Sequence, residues 1–195
     1  SSEAIKKMFD RLDELQEGDI LVLAGSIPAS MPESMYRDIM KRLADRKLKI
    51  AVDATKSLLL NVLPFHPFVI KPNNHELGEL FNVKIKSKDQ AVEYAKKLQE
   101  MGAQNVIVSM AGEGAVFVGD DGSVFQSEAP KGTVVNSVGA GDSMVAGFLA
   151  GYLGEGDYKE AFKLGVCTGS ASAFSEQLAT REQVEAIRNT HHFQF

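Results

Sequence analysis

The sequence predicts an α/β fold built on a mainly parallel sheet, and three observations carry that expectation. Short continuous apolar runs such as "DILVLAGS", residues 19–26, read as strands buried on both faces. Between them lie stretches with apolar residues three and four apart, the period of a helix packed on one side. The two kinds of segment alternate, which implies right-handed crossovers between parallel strands. No repeat, low-complexity segment or Pro/Gly/Ser-rich linker divides the chain, so residues 1–195 read as one domain.

The elements follow in order. Ile5, Phe9, Leu12 and Leu15 form one helix face, with Ser1 or Ser2 as its cap. The run at 19–26 is the first strand, and "PESMYRDIMKRLADRK" is the next helix, with Pro32 in its first turn. "KIAVDA" (49–54) and "FVIKPNN" (68–74) read as the second and third strands, the latter ended by Pro72. "NHELGELF" starts a short helix. "SKDQAVEYAKKLQEMG" opens on a capping box, Ser87 with Gln90, and closes on Gly102. "NVIVSM" (105–110) is a fourth strand, and "GAVFVGDDGSVFQS" a hairpin turning at 120–122. Helices then cover 139–153, 157–174 and 181–188.

Composition narrows the function classes. The formal net charge of −5 argues against sequence-independent nucleic-acid binding, which uses a basic stripe. No apolar run approaches the ~18 residues of a membrane span, and no signal-peptide pattern opens the chain. The single cysteine, Cys167, rules out an internal disulfide and reads as an inert buried thiol in a reducing, cytoplasmic setting. His66, His75, His191 and His192 have no metal-ligand spacing, and the last two read as surface residues.

In a sheet of this kind ligands sit beyond the carboxyl ends of the strands. "GSIPAS", "DATK", "KPNNHE" and "SMAGEG" occupy those positions. The sharpest signal comes later, in "NSVGAGDSMVAGFLAG" (136–151). A helix starting near Gly139 presents unpaired amides, small residues let an anion approach them, and its dipole favours negative charge. Asp142 in the first turn is either a simple N-terminal acid or a general base beside an anion cradle. No P-loop, dinucleotide fingerprint or G-x-S-x-G elbow is present.

The segment "NSVGAGDSMVAGFL" resembles the C-terminal signature of the ribokinase-like carbohydrate kinases of the phosphofructokinase B type. "KPNNHE" is similar to that family's Asn-x-x-Glu motif, "SMAGEG" to its nucleotide-binding turn, and "LAGSIPASMP" to its sugar-facing segment. The resemblance implies a three-layer sandwich around a mainly parallel sheet and ATP-dependent phosphorylation of a phosphosugar. "KPNNHELGELFNV" and "GSASAFSEQLATREQVE" look most like members that phosphorylate the C6 hydroxyl of fructose 1-phosphate, with tagatose 6-phosphate as the alternative acceptor.

Residue by residue, the resemblance makes Asp142 the base, and the amides of Gly139, Ala140 and Gly141 the anion hole. Glu76, with Asn73, would place Mg²⁺ through water. Ser109, Met110, Ala111, Gly112, Glu113 and Gly114 would line the nucleotide; the plainer reading is a strand-to-hairpin turn with positive φ at Gly112 and Gly114. Gly169 and Ser170 would pack near the adenine, or serve tight helix packing. Ser26 would touch the sugar or its phosphate, and Lys56 a phosphate. The cofactors implied are ATP and Mg²⁺, with a monovalent cation allowed near Asn136 and Ser137. A homodimer is allowed, and neither nucleic acid nor membrane is implied.

Two departures matter. "GSIPAS" lacks the family's Pro-Pro-Gly, and the motifs match only the C-terminal two thirds of the family pattern. The chain, which lacks an initial Met, is therefore expected to be a truncated domain without the N-terminal strands and β lid, retaining a nucleotide half-site with little turnover. A non-catalytic nucleotide-binding module is the alternative of another class; retention of Asp142 argues against it.

Overall fold

In a computed structural model, residues 2–28 and 30–195 are described; Ser1, expected as one possible cap of the first helix, and Ala29 lie outside them. The chain runs α1 (Ser2–Leu12), β1 (Ile20–Ala24), α2 (Met35–Leu43), β2 (Lys49–Asp53), α3 (Lys56–Val62), β3 (Val69–Ile70), α4 (Asn74–Phe81) and α5 (Lys88–Glu100). It continues through β4 (Asn105–Ser109), β5 (Ala115–Val118), β6 (Val124–Ser127), α6 (Ala140–Glu155), α7 (Tyr158–Ala173) and α8 (Arg181–Thr190). The six strands form one sheet in sequence order. Strands β1 to β4 are parallel, and β5 and β6 close it as an antiparallel hairpin.

The two faces of the sheet are written in the period-2 alternation of its strands. Ile50, Val52, Ile70, Val106, Val108, Val116 and Val118 point into one core, which the helices between β1 and β4 cover. Ala51, Val69, Ile107, Ala115 and Phe117 point into the other, against Val145, Phe148 and Leu149 of α6 and Ala161, Phe162 and Val166 of α7. The result is three layers, as expected. α6 and α7 approach closely: a Cβ on Gly151 would stand 2.7 Å from Ala161 Cα. Cys167 is buried in α7, and burial pushes its thiol up to about 12, which keeps it inert.

Several local expectations change. Lys56–Val62 is a helix that the sequence reading passed over, because "KSLLLNV" is too short to show a helical period. The third strand shrinks to Val69–Ile70. Ser87 does cap α5, accepting from the Gln90 N–H at 3.2 Å, but Gln90 Oε1 accepts from Lys86 N–H instead of closing a box. His191 is half-buried rather than a plain surface residue, with Nε2 3.2 Å from Ser127 Oγ.

Candidate functional site

The candidate site gathers at the carboxyl ends of β1 to β4, where helix starts converge. Gly139 is the N-cap of α6 with φ 79°, a left-handed conformation that favours glycine, and no side chain caps the helix. The Ala140 N–H turns back to Ser137 O at 3.3 Å, so that amide is already engaged and the cradle rests on its neighbours. Asp142 is exposed in the first turn, while Ser143 and Val145 behind it are buried. The carboxylate is thus free to face a ligand, and the shaft that carries it is fixed by packing.

Asn73 and Glu76 sit at the neighbouring helix start. Asn73 Oδ1 accepts from the N–H groups of His75 and Glu76, both at 2.9 Å. Glu76 Oε2 accepts in return from the Asn73 N–H at 2.8 Å. This reciprocal pair is a full capping box. The helix-start acid weighed for Glu76 in the sequence is therefore real, and one carboxylate oxygen is committed to it. A parallel bridge joins Asn73 to Ser109 and ties this motif to the end of β4.

Two residues that the sequence reading did not single out lie between these helix starts. Lys71 is buried, and its Nζ stands 3.3 Å from Asp53 Oδ2 at the end of β2. A Cβ on Gly141 would stand 2.9 Å from that ammonium, so the glycine leaves room for it. Burial raises the Asp53 pKa; Lys71 opposes the rise, and the charges of Asp142 and Glu76 reinforce it. The signal was present, since Asp53 opens "DATK" and Lys71 opens "KPNN" at two strand ends. Neither motif reveals that parallel pairing sets the two side by side.

The remaining residues divide. Ala111, Gly112 and Glu113 form an exposed single turn after β4, beside Ser109. Met110 is 3% exposed and its side chain joins the core, so only its backbone can line a ligand. Positive φ falls at Ala111 and Gly114, not at Gly112. Gly169 is held against α6, where an added Cβ would lie 3.0 Å from Ala140 O. Its packing role supports the cradle from below, and Ser170 is half-buried next to it. Ser26 is exposed just past β1, after Gly25, whose N–H donates to Asp53 O at 3.1 Å. Lys56 is exposed, and its Nζ lies 3.7 Å from Glu79 Oε2 of α4.

The model of the pfkB family of carbohydrate kinases matches residues 1–184. The chain belongs to this family. It is 49% identical to 1-phosphofructokinase of Bacillus subtilis over 96% of its own length and 61% of that protein's. It is 34% identical to D-tagatose-1-phosphate kinase of Bacillus licheniformis over 91% of this chain and 59% of that protein. A solved Staphylococcus aureus structure, provisionally assigned as a phosphofructokinase, superposes with a TM-score of 0.93 at 38% identity, covering all of this chain and 63% of that one. The chain thus spans about three fifths of these relatives. The expected ribokinase-like architecture and pfkB resemblance both hold.

The charge of this pfkB site bears on the expected metal. Asp53, Glu76 and Asp142 set three carboxylates against one ammonium, so a bare polyphosphate would meet net negative charge. Among the described residues no group of three or more His, Cys, Asp or Glu side chains could hold a metal ion. Mg²⁺ needs no such cage, because it keeps waters and binds through one or two carboxylates and substrate phosphates. The residues present fit that mode. No helix among them is long and apolar enough to cross a membrane. Asn136, near which a monovalent cation was allowed, has its Oδ1 engaged by Val138 N–H at 3.0 Å and its amide directed to Glu176 O at 3.3 Å.

Proposed function

We propose that this chain carries the nucleotide half and the base of an ATP-dependent kinase that phosphorylates the C6 hydroxyl of a ketohexose 1-phosphate, with fructose 1-phosphate as the leading acceptor. The observation that carries the reading is Asp142: an exposed carboxylate in the first turn of a helix without a side-chain cap, directly after Gly141, which abuts a buried ammonium. The names of the relatives support the acceptor class. Fructose 1-phosphate and tagatose 1-phosphate are both ketohexoses phosphorylated at C1 and both offer a free C6 hydroxyl. This moves the alternative acceptor from tagatose 6-phosphate to tagatose 1-phosphate.

In this reading Asp142 accepts the proton of the attacking hydroxyl, and the amides at the mouth of α6 meet the charge that develops on the transferred phosphoryl. Mg²⁺, held near Glu76 and Asn73, would supply charge neutralisation for the phosphates. The exposed turn at 111–113 borders the nucleotide, and Ser26 lies on the acceptor side. Phosphoryl transfer asks little covalent chemistry of a protein, so positioning and electrostatics are enough.

The test is a coupled assay of phosphoryl transfer to fructose 1-phosphate and tagatose 1-phosphate, with calorimetric titration of Mg-ATP. Asp142→Asn is expected to lower turnover about 10²- to 10⁴-fold and to leave nucleotide affinity nearly unchanged. Unchanged turnover in that variant removes Asp142 as the base. Because little turnover is expected of this chain alone, transfer is read in a protein of the relatives' full length; nucleotide binding without transfer there favours a binding module.

A further inference from the structure

Lys71 occupies a costly place. An ammonium removed from water loses several kcal/mol of hydration, on the order of what a good partner returns. Its partner Asp53 is only half-buried, with 18% of its side chain exposed, and is disfavoured as an anion by that burial and by the charges of Asp142 and Glu76. The site also lies at the N-terminal end of α6, which carries the positive pole of a helix dipole and is the wrong end for a cation. Packing alone does not account for this choice, because an apolar side chain of similar length would fill the space without either cost. A single fixed positive charge behind the first turn of α6 is intelligible where a metal-bound polyphosphate brings negative charge.

The geometry points to Asp53 as the positioning residue of the cradle: it holds the Lys71 ammonium against Gly141, so that a fixed positive charge backs the amides of α6 where the terminal phosphates lie. This deepens the kinase reading and rests on it. Asp53 touches no reacting atom in this arrangement; it acts through Lys71. It has a second tie to the same corner, since its carbonyl accepts from Gly25 N–H at 3.1 Å beside Ser26. A movement of the pair would therefore be felt on both the nucleotide and the acceptor side.

The experiment separates this role from plain structural support. Asp53→Asn, Lys71→Met and the double variant are made in the full chain. Each is measured for thermal stability and for its affinity for Mg-ATP relative to AMP, which lacks the terminal phosphates. The singles are expected to be less stable, Asp53→Asn most of all, because it leaves a buried charge unpaired. The double is expected to regain most of the wild-type melting temperature. All folded variants are expected to lose about tenfold or more in the ATP-to-AMP ratio, the double no more than the worse single, since the two residues act as one unit. If Asp53→Asn does not fold, Lys71→Met and the double decide. A ratio within about twofold of wild type in the double, or losses that add between the singles, overturns the inference. Absence of phosphoryl transfer by the wild type at the relatives' full length would sink the proposed function alone, because the affinity ratio still judges Asp53. A folded wild type that binds neither nucleotide overturns both.

Discussion

Asn73 and Glu76 hold each other across the first turn of α4, each side chain accepting from the other's backbone N–H, at 2.8 Å for the Glu76 carboxylate and 2.9 Å for the Asn73 amide oxygen. The same two residues are those proposed to place Mg²⁺, so in that reading a structural and a functional role would fall on one carboxylate. They can be separated by charge. Glu76→Gln keeps an acceptor for the Asn73 N–H and should cost about 0.5–1 kcal/mol, chiefly the lost acid at the helix N-terminus. Glu76→Ala loses the reciprocal bond as well and should cost about 1–2 kcal/mol. Both should raise the Mg²⁺ concentration needed for nucleotide binding. Denaturant unfolding and Mg²⁺ titrations check this; a Gln variant with wild-type Mg²⁺ dependence would confine Glu76 to its capping role.

Gly141 gives a second test, because its hydrogen faces a charge and not a wall. In Gly141→Ala the new methyl would meet Lys71 Nζ at 2.9 Å. The clash falls on the far end of a flexible side chain, so the fold should survive, with a loss of about 1 kcal/mol. Nucleotide affinity should fall about tenfold, because the displaced ammonium and the methyl both disturb the anion path. The melting temperature and a calorimetric titration are the two readouts. A variant that binds Mg-ATP normally would show that the phosphates do not approach α6 at this point.

Much of this corner was legible in the sequence, and what was not follows a pattern. Gly139 and Asp142 stand in a contiguous motif, and the cap between Asn73 and Glu76 spans one helical turn, so local spacing reveals them. The Lys71–Asp53 pair joins residues on two neighbouring strands, and only the parallel register between β2 and β3 makes them neighbours. For Met110 a motif names backbone and side chain alike, and only the structure shows that its side chain belongs to the core, which leaves the backbone for a ligand. α3 was missed because seven residues hold too few turns to reveal a period. His191 was misjudged because chain position says nothing about what the last residues fold against.

The close contact of α6 with α7 predicts a different kind of sensitivity. Gly151 faces Ala161 across the helix pair, and a Cβ there would lie 2.7 Å from Ala161 Cα. Backbone cannot yield as a lysine tip can, so Gly151→Ala must wedge the helices apart. A loss of about 1–3 kcal/mol is expected, typical of overpacking. The effect should reach the cradle only weakly, since Gly151 lies almost at the other end of α6 from Asp142. Unfolding in denaturant should thus show a lower midpoint, while Mg-ATP affinity of the folded protein stays near wild type. A variant as stable as wild type would mean the helices can part without cost.

The last prediction concerns pH and the C-terminal residues. Ser127 Oγ spends its single proton on Glu128 O at 2.8 Å, so the 3.2 Å contact with His191 requires His191 Nε2–H to donate. Phe193 packs edge-on against the same imidazole, with ring centroids 4.5 Å apart. Burial holds the His191 pKa below its ordinary 6.5; His192 adds to the depression and Glu128 opposes it. The unfolded chain therefore takes up this proton first as the solution is acidified. The stability tied to a neutral His191 is fully present above about pH 7.5, begins to fall through 6.5, and is gone once the pH passes below the folded-state value. His191→Gln keeps an amide that can donate to Ser127 and removes the titration. The stability difference between wild type and this variant, measured by denaturant unfolding from about pH 8 to pH 5, should shift against the wild type as the pH falls. A difference that stays constant across the range would mean the imidazole titrates alike in the folded and unfolded chain.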